Sequence, residues 1–247
     1  MLKGLRVLEV SSFVAAPLGG MTLAQLGAEV VRVDPIGGAT DVRRWPLHAN
    51  GASIYWAGLN KGKRSIMVDQ RSVAGRELIA ALAAQAGVVL TNAAHPRYAD
   101  LSAHRPGLIH VQIEGHPGGR PAVDYTVNAE MGFPLVTGLG EDPVNHVLPA
   151  WDIACGLYAA VAILAADRHR LRTGEGREIR IALSDVALAT AGNLGFLGEA
   201  ELTGVDRPRV GNHLYGGFAR DFAVRDGRLM LVTLTRRHFD DLGRLTG

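Results

Sequence analysis

Asp152 is the residue of this sequence best placed for covalent chemistry, because its carboxylate directly precedes the apolar run at residues 153–157. Two interpretations fit this position. A carboxylate near a helix start accepts backbone N–H bonds and is favoured by the positive end of the helix dipole, so Asp152 can be a cap. A carboxylate can also attack an activated carbonyl carbon as a nucleophile. Residue type and position alone favour the cap and leave the nucleophile open.

The segment 11–20 is rich in small residues and lies between a predicted strand and a predicted helix, where open α/β sheets bind their ligands. Asp34 ends the next predicted strand, which invites a dinucleotide interpretation. The segment lacks the G-x-G-x-x-G pattern, however, and Pro17 removes one of the N–H groups that would hold a pyrophosphate. A nicotinamide-dependent oxidoreductase is therefore disfavoured.

Three other polar segments carry two interpretations each. Lys61, Lys63 and Arg64 form either a solvated charge cluster or a phosphate site. Asn92, just past a predicted strand, is either a turn residue or a ligand contact at the same edge of the sheet as the first loop. The glycine-containing segment 211–217 is either a plain turn between domains or a mobile loop.

Several classes of protein find no support in the sequence. The formal charge of +2 and the absence of a basic stripe argue against a nucleic-acid partner. The nine histidines form neither an H-E-x-x-H motif nor a zinc spacing, so no metal site is predicted. The single cysteine, Cys155, excludes an internal disulfide, is consistent with a reducing compartment, and is expected to be a small core residue.

The pattern of apolar residues predicts how these groups are positioned. Strands alternate with helices, which predicts an α/β fold with a Rossmann-like, mostly parallel sheet covered by helices on both faces. The predicted strands are residues 5–10, 29–34, 65–69, 88–91, 108–113 and 178–183. The predicted helices are residues 21–27, 73–86, 98–104, 126–136, 153–171 and 184–201.

A change of character near residue 205 predicts a domain boundary there. Residues 1–204 form the α/β domain, and residues 205–247 begin a smaller α+β domain with a hairpin turning at Asp226 and Gly227, followed by a helix from near Arg237. A hairpin and one helix make a poor independent core, so this domain is expected to be incomplete or completed by another chain. The longest apolar stretch, residues 153–166, suits a buried helix, and we expect a cytoplasmic protein without membrane or signal segments.

Five ordered segments together resemble the family III CoA-transferases, the group that contains formyl-CoA transferase, carnitine CoA-transferase and α-methylacyl-CoA racemase. The resemblance runs from Leu2 to the last residue. The segments that carry it are residues 4–9 (GLRVLE), 15–17 (AAP), 26–34 (LGAEVVRVD), 59–65 (LNKGKRS) and 172–176 (RTGEG). Five matches in order are far more specific than any single motif.

The resemblance implies a catalytic role for Asp152. In the family's mechanism the aspartate attacks the thioester carbonyl, giving an aspartyl anhydride and then an aspartyl-CoA thioester. A carboxylate suits this exchange, since it is ionised at neutral pH and its anhydride is as activated toward a thiolate as the original acyl group. CoA enters as part of the substrate, with a dicarboxylic acid as its acyl group, and no tightly bound cofactor is implied. Family members form interlocked homodimers, so a homodimer is expected.

The resemblance also implies binding residues. The CoA contacts fall on Val14, Ala15, Lys61, Lys63 and Arg64, with Asn92 beside the pantetheine arm. Backbone N–H groups near Ala15 and Ala16 would hold the oxyanion. The family's mobile glycine-rich lid falls on Tyr215, Gly216 and Gly217.

Five stretches are most similar to the branch that moves CoA between the two carboxyl groups of mesaconyl-CoA: residues 13–20, 40–50, 56–65, 145–152 and 206–221. Two departures support this choice. The racemases have Gly-His-Asp where this chain has Ala122, Val123 and Asp124, and formyl-CoA transferase has glutamine in place of Val14. Family members are also substantially longer. The alternatives are intermolecular CoA transfer to a carboxylate, and a shortened CoA-binding homologue without turnover.

Overall fold

The core of the protein is a six-stranded sheet in which every neighbouring pair of strands is parallel. The computed structural model describes residues 1–247. The strand order β3-β2-β1-β4-β5-β6 is that of doubly wound α/β proteins, which confirms the predicted fold class. The strands are β1 Arg6–Val10, β2 Glu29–Asp34, β3 Arg64–Met67, β4 Val88–Thr91, β5 Ile109–Glu114 and β6 Arg177–Ala182.

Burial along the strands follows their place in the sheet. All four residues of β4, a central strand, are buried, because helices cover both faces of a parallel sheet. Alternation along β1 sends Leu8 and Val10 to one face, where they join the core formed with Ile79 and Ala83. Glu9, between them, faces the other way and is fully buried.

Ten helices accompany the strands. They are α1 Ala15–Gln25, α2 Ile54–Leu59, α3 Val73–Ala86, α4 Tyr98–Ser102, α5 Asp124–Glu130, α6 Phe133–Val136, α7 Ala150–Thr173, α8 Leu183–Asn193, α9 Phe196–Thr203 and α10 Arg236–Thr246. The longest, α7, is long and apolar enough to cross a membrane by length and composition. Its residues Cys155, Ala159 and Ile163 are nevertheless fully buried, and it packs on α1 and the sheet, as the core helix of a globular domain does.

Three predicted elements are corrected by the structure. Helix α1 begins at Ala15, six residues before the predicted start, so part of the predicted loop 11–20 is helical. The helices predicted over residues 126–136 and 184–201 are each two helices. The breaks fall at Gly132 and Gly195, whose φ angles of 78° and 82° lie in the left-handed region that a continuous α-helix excludes.

The chain forms two compact units. The first comprises residues 1–127 and 148–191, and the second residues 128–147 and 192–247. The second contains the predicted hairpin, formed by the antiparallel strands β7 Phe218–Val224 and β8 Gly227–Thr233. It also takes in segments that lie before residue 205 in the chain, so these units divide at different places from the predicted boundary. That boundary stays a prediction about the domains of the protein.

Candidate active site

The first part of the site lies where the strand order reverses, between β1 and β4. Ligands of open α/β sheets bind outside the carboxyl ends of the strands at this point. The side-chain amide of Asn92, after β4, donates to the carbonyl of Ser12 at 2.8 Å and accepts from the N–H of Ser12 at 3.0 Å. Asn92 therefore fixes the loop after β1, and its predicted contact with the pantetheine arm stays a prediction.

The loop after β1 leads directly into helix α1. Val14 and Ala15 are buried at the start of this helix, and no side chain caps it. The first N–H groups of an α-helix have no acceptor within the helix, so those of Ala15 and Ala16 are available to an oxyanion. Pro17 contributes no N–H here, which leaves these two groups as the donors of the first turn.

Asp152 lies in the first turn of α7, but it does not cap that helix. The backbone N–H groups of Trp151 and Asp152 both donate to Oδ2 of Asp124, at 2.7 and 3.1 Å. The capping role that residue type alone favoured for Asp152 thus belongs to Asp124, which is almost fully buried. Asp152 is left half-buried, with a carboxylate that is not used by the helix.

The surroundings of Asp152 make its carboxylate less acidic than usual. Burial, reinforced by the negative charge of Asp124, raises the pKa of Asp152 from 3.8 to about 6, while the positive charge of Arg44 lowers it. The group is therefore ionised at neutral pH and poorly solvated, a combination that favours nucleophilic attack. Burial raises the pKa of the Cys155 thiol, one turn along α7, to about 12, so that thiol stays protonated.

A close contact between α1 and α7 sets the position of Asp152 relative to the loop after β1. Two glycines make this contact possible. A Cβ atom on Gly156 would lie 2.5 Å from the carbonyl oxygen of Ala15, and one on Gly19 would lie 2.8 Å from the carbonyl oxygen of Gly156. The free N–H groups of α1 and the carboxylate on α7 are thus held on helices in backbone contact.

A cluster of aromatic and charged residues lies in the surroundings of Asp152, and the sequence analysis assigned no role to its members Phe13, Arg44 and Tyr55. The guanidinium carbon of Arg44 lies 5.2 Å from the ring centre of Phe13 and 5.0 Å from that of Tyr55. Phe13 has a φ angle of 63°, which is unusual for a residue with a side chain. Its N–H donates to Oδ2 of Asp41 at 2.9 Å, which holds this conformation.

The structure separates the three cations that the sequence groups together. The side chain of Lys63 is 1% exposed, and its ammonium donates to Glu9 Oε1, Pro17 O and Asn60 Oδ1 at 2.8 Å each. An ammonium has three N–H donors, and Lys63 uses all three within the protein, so its predicted CoA contact stays a prediction. Lys61 and Arg64 are exposed, and their CoA contacts stay predictions.

A cavity of about 1300 Å³ lies at the carboxyl ends of β2, β3 and β4. Charged side chains of both signs and apolar side chains share its walls, and Ala93, next to Asn92, also lines it. The cations include Arg71, Arg76 and Arg97, the carboxylates are Asp69, Glu77 and Asp100, and the apolar residues include Pro35, Ile79 and Ala80. Arg97 forms an ion pair with Asp100 at 2.9 Å. Arg71 and Arg76 lie close together in the sequence, and the fold brings Arg97 to the same cavity.

The predicted lid lies in the second unit. The guanidinium of Arg207 stacks between the rings of Phe196 and Tyr215, and the Tyr215 hydroxyl donates to the carbonyl of Pro208 at 2.6 Å. Gly216 and Gly217 follow on the exposed surface of this unit. The function of Tyr215, Gly216 and Gly217 as a lid stays a prediction.

The sequence matches the family model described as CoA-transferase family III over residues 2–247, and the chain belongs to that family. It is 52% identical to a 2-methylfumaryl-CoA isomerase of Chloroflexus aurantiacus, over 100% of this chain and 63% of that protein. It is 30% identical to a succinyl-CoA:mesaconate CoA-transferase of Haloarcula hispanica, over 98% of this chain and 66% of that protein. The crystal structure of a CAIB/BAIF family protein from Brucella suis superposes with a TM-score of 0.87 at 32% identity, covering 99% of this chain and 69% of that one. The chain thus spans about two thirds of the length of these relatives.

Proposed function

We propose that the protein moves CoA between the two carboxyl groups of 2-methylfumaryl-CoA, also called mesaconyl-CoA, with Asp152 as the acyl acceptor. The observation that carries the proposal is that the Asp152 carboxylate is free to react. This carboxylate is half-buried, ionised at neutral pH and relieved of capping by Asp124. The 52% identity to a 2-methylfumaryl-CoA isomerase supports the choice of substrate.

The proposed reaction needs only carboxylate, thioester and thiolate. A carboxylate oxygen of Asp152 attacks the thioester carbonyl, the carbon–sulfur bond breaks, and an aspartyl–acyl anhydride and a CoA thiolate form. The thiolate then attacks the aspartyl carbonyl, which gives an aspartyl-CoA thioester and the free diacid. The other carboxylate of the diacid attacks this thioester, the carbon–sulfur bond breaks, and a new aspartyl–acyl anhydride and a CoA thiolate form. The thiolate then attacks the acyl carbonyl of this anhydride. Asp152 is regenerated and CoA has changed carboxyl groups.

The N–H groups of Ala15 and Ala16 suit the developing oxyanion of these steps, because preorganised donors stabilise charge that appears in the transition state. The cavity at the ends of β2 to β4 suits the nucleotide end of CoA, with Arg71 and Arg76 for phosphates and an apolar wall for the base. Asn92 directly precedes Ala93, which lines that cavity, and its side chain bonds to Ser12 in the loop after β1. The proposal includes the homodimer implied by the resemblance, which light scattering would measure.

Trapping tests the proposed nucleophile. The protein is incubated with mesaconyl-CoA and hydroxylamine, and the adduct is mapped by mass spectrometry. We expect the mark on Asp152, and a loss of isomerisation of at least about 1000-fold in Asp152→Asn. Asp226→Asn, at the exposed hairpin turn, is the matched control and should keep the rate. An unmarked Asp152, or an active Asp152→Asn variant, would rule the proposal out.

Intermolecular transfer is the second candidate, favoured by the identity to a succinyl-CoA:mesaconate CoA-transferase. Isotope-labelled free mesaconate separates the two reactions. In the intramolecular reaction the label stays out of the thioester pool, since the diacid does not leave the site. Label in mesaconyl-CoA at the rate of turnover would favour the intermolecular reaction. CoA binding measured by calorimetry in the absence of any turnover would instead identify a binding homologue.

A further inference from the structure

The guanidinium of Arg44 is held by aromatic stacking but forms no ion pair. Arg44 follows the 3₁₀ turn Thr40–Arg43, and its carbonyl accepts a hydrogen bond from the Ser53 hydroxyl at 2.6 Å. Its guanidinium lies over the rings of Phe13 and Tyr55 at 5.2 and 5.0 Å. The guanidinium makes no ion pair within 4.0 Å and remains exposed. Its N–H donors are therefore free to bind a ligand.

A chain of contacts fixes the ring on which Arg44 stacks. Arg32, fully buried, donates to Asp34 at 2.9 Å and contacts Asp41 at 3.4 Å. Asp41 in turn accepts the N–H of Phe13, whose left-handed backbone directs its ring to Arg44. Strained backbone that neighbouring contacts hold in place is typical of functional sites. Arg44 is thus preorganised rather than merely present on the surface.

The contacts of Phe13 place Arg44 near the start of α1, which α7 contacts. Arg44 stacks on Phe13, two residues before Ala15, and a Cβ atom on Gly156 of α7, one turn from Asp152, would lie 2.5 Å from the Ala15 carbonyl oxygen. The positive charge of Arg44 also lowers the pKa of Asp152. The aspartyl–acyl anhydride formed at Asp152 would therefore lie near the guanidinium of Arg44, which has no ion-pair partner. A guanidinium binds a carboxylate with two parallel hydrogen bonds, which fixes both its position and its orientation.

We propose that Arg44 binds the carboxylate of the substrate's acyl group that is not attached to CoA. This inference rests on the proposed function, in which that carboxylate must stay in the site and become the next nucleophile. Holding it replaces a diffusional encounter by a step within one complex. It would also select dicarboxylic over monocarboxylic acyl groups.

Binding to a variant that lacks the nucleophile tests this assignment. Asp152→Asn leaves the thioester intact, so calorimetry can compare mesaconyl-CoA with tiglyl-CoA, in which a methyl group replaces the free carboxylate. We expect Arg44→Met, added to Asp152→Asn, to weaken mesaconyl-CoA binding about 10- to 100-fold and to leave tiglyl-CoA binding unchanged. Arg43→Met, at the adjacent exposed arginine, is the matched control and should change neither.

Each other outcome has a distinct meaning. Equal weakening of both thioesters, or of neither, would overturn the assignment. If Arg44 only tuned the charge of Asp152, its effect would disappear in the Asp152→Asn background, which again overturns it. Arg44→Lys, which keeps a charge but loses the fork, should show the same selectivity with a smaller loss, and replaces Arg44→Met if thermal unfolding shows that variant to be misfolded. Failure of Asp152→Asn to bind either thioester would refute the proposed function itself.

Discussion

Two groups of charges in the first compact unit are built in opposite ways. Under the loop after β1, the buried Glu9, Arg32 and Lys63 are joined by ion pairs and hydrogen bonds. Beside that loop, Asp152 and Arg44 are more exposed, and neither forms an ion pair within 4.0 Å. Paired buried charges hold the backbone of the loop in place, and unpaired charges next to them remain available to a substrate. The difference identifies which charges position the site and which can act in it.

Lys63→Met should have the largest effect on stability. Removing one partner of a buried ion pair leaves the other charge without compensation, so we expect a loss of about 3–5 kcal/mol in the free energy of unfolding. Glu9 would keep only the Ser11 hydroxyl, at 2.7 Å, and the more distant Arg32, at 3.7 Å. Urea unfolding measures the loss. Lys61→Met, at an exposed position, is the control and should change stability by less than about 0.5 kcal/mol. Equal stability of the two variants would show that the buried network is not structural.

This contrast marks the limit of prediction from the sequence. The strands are predictable because apolar runs such as residues 88–91 have buried neighbours on both faces. The sequence does not predict that Lys61 is exposed while the Lys63 side chain is buried. That difference depends on the register that places Ser65 beside Arg32 and on the face to which Glu9 points. Likewise, the cap of α7 comes from Asp124, 28 residues before Asp152, and only the fold brings the two together.

Asp152→Asn should stabilise the folded protein at alkaline pH, because an unpaired buried charge has a cost. The pKa of Asp152 is about 6 in the folded protein against an ordinary 3.8. The carboxyl therefore contributes stability that is full below pH 3.8 and lost as the pH rises through 6. At pH 8 we expect the free energy of unfolding of the variant to exceed that of the wild type by up to about 3 kcal/mol. The gain should shrink toward pH 4, and a gain that is the same at both pH values would contradict this account.

Gly156→Ala tests how the two groups of charges are connected. The added Cβ would meet the Ala15 carbonyl at 2.5 Å and Leu18 Cβ at 3.1 Å, so α7 must move away from α1. Overpacking of this kind costs about 1–3 kcal/mol of stability. We also expect kcat to fall more than substrate binding, since Asp152 shifts from the N–H groups of α1. Gly198→Ala, in α9 with open space around the new Cβ, is the control. Reduced stability with unchanged kcat would show that the α1–α7 contact does not position the nucleophile.

Asp124→Asn should have the smallest effect and isolates one charge. The asparagine oxygen can still accept from the N–H groups of Trp151 and Asp152, so the cap of α7 is kept while the negative charge is lost. That charge raises the pKa of Asp152, so removing it lowers the pKa and moves the acid limb of kcat/KM to lower pH. The shift should be less than about one pH unit, because burial is the larger cause and remains.

Asp124→Ala separates the charge of Asp124 from its hydrogen bonds. It removes both, so it should move the acid limb as Asp124→Asn does and also lose about 0.5–2 kcal/mol of stability with the cap. An acid limb that moves upward in Asp124→Asn would mean that Asp124 lowers the pKa of Asp152. An unmoved limb would mean that a group other than Asp152 sets the pH dependence. Only a downward shift shared by both variants fits a carboxylate that caps the helix and thereby leaves its neighbour free to react.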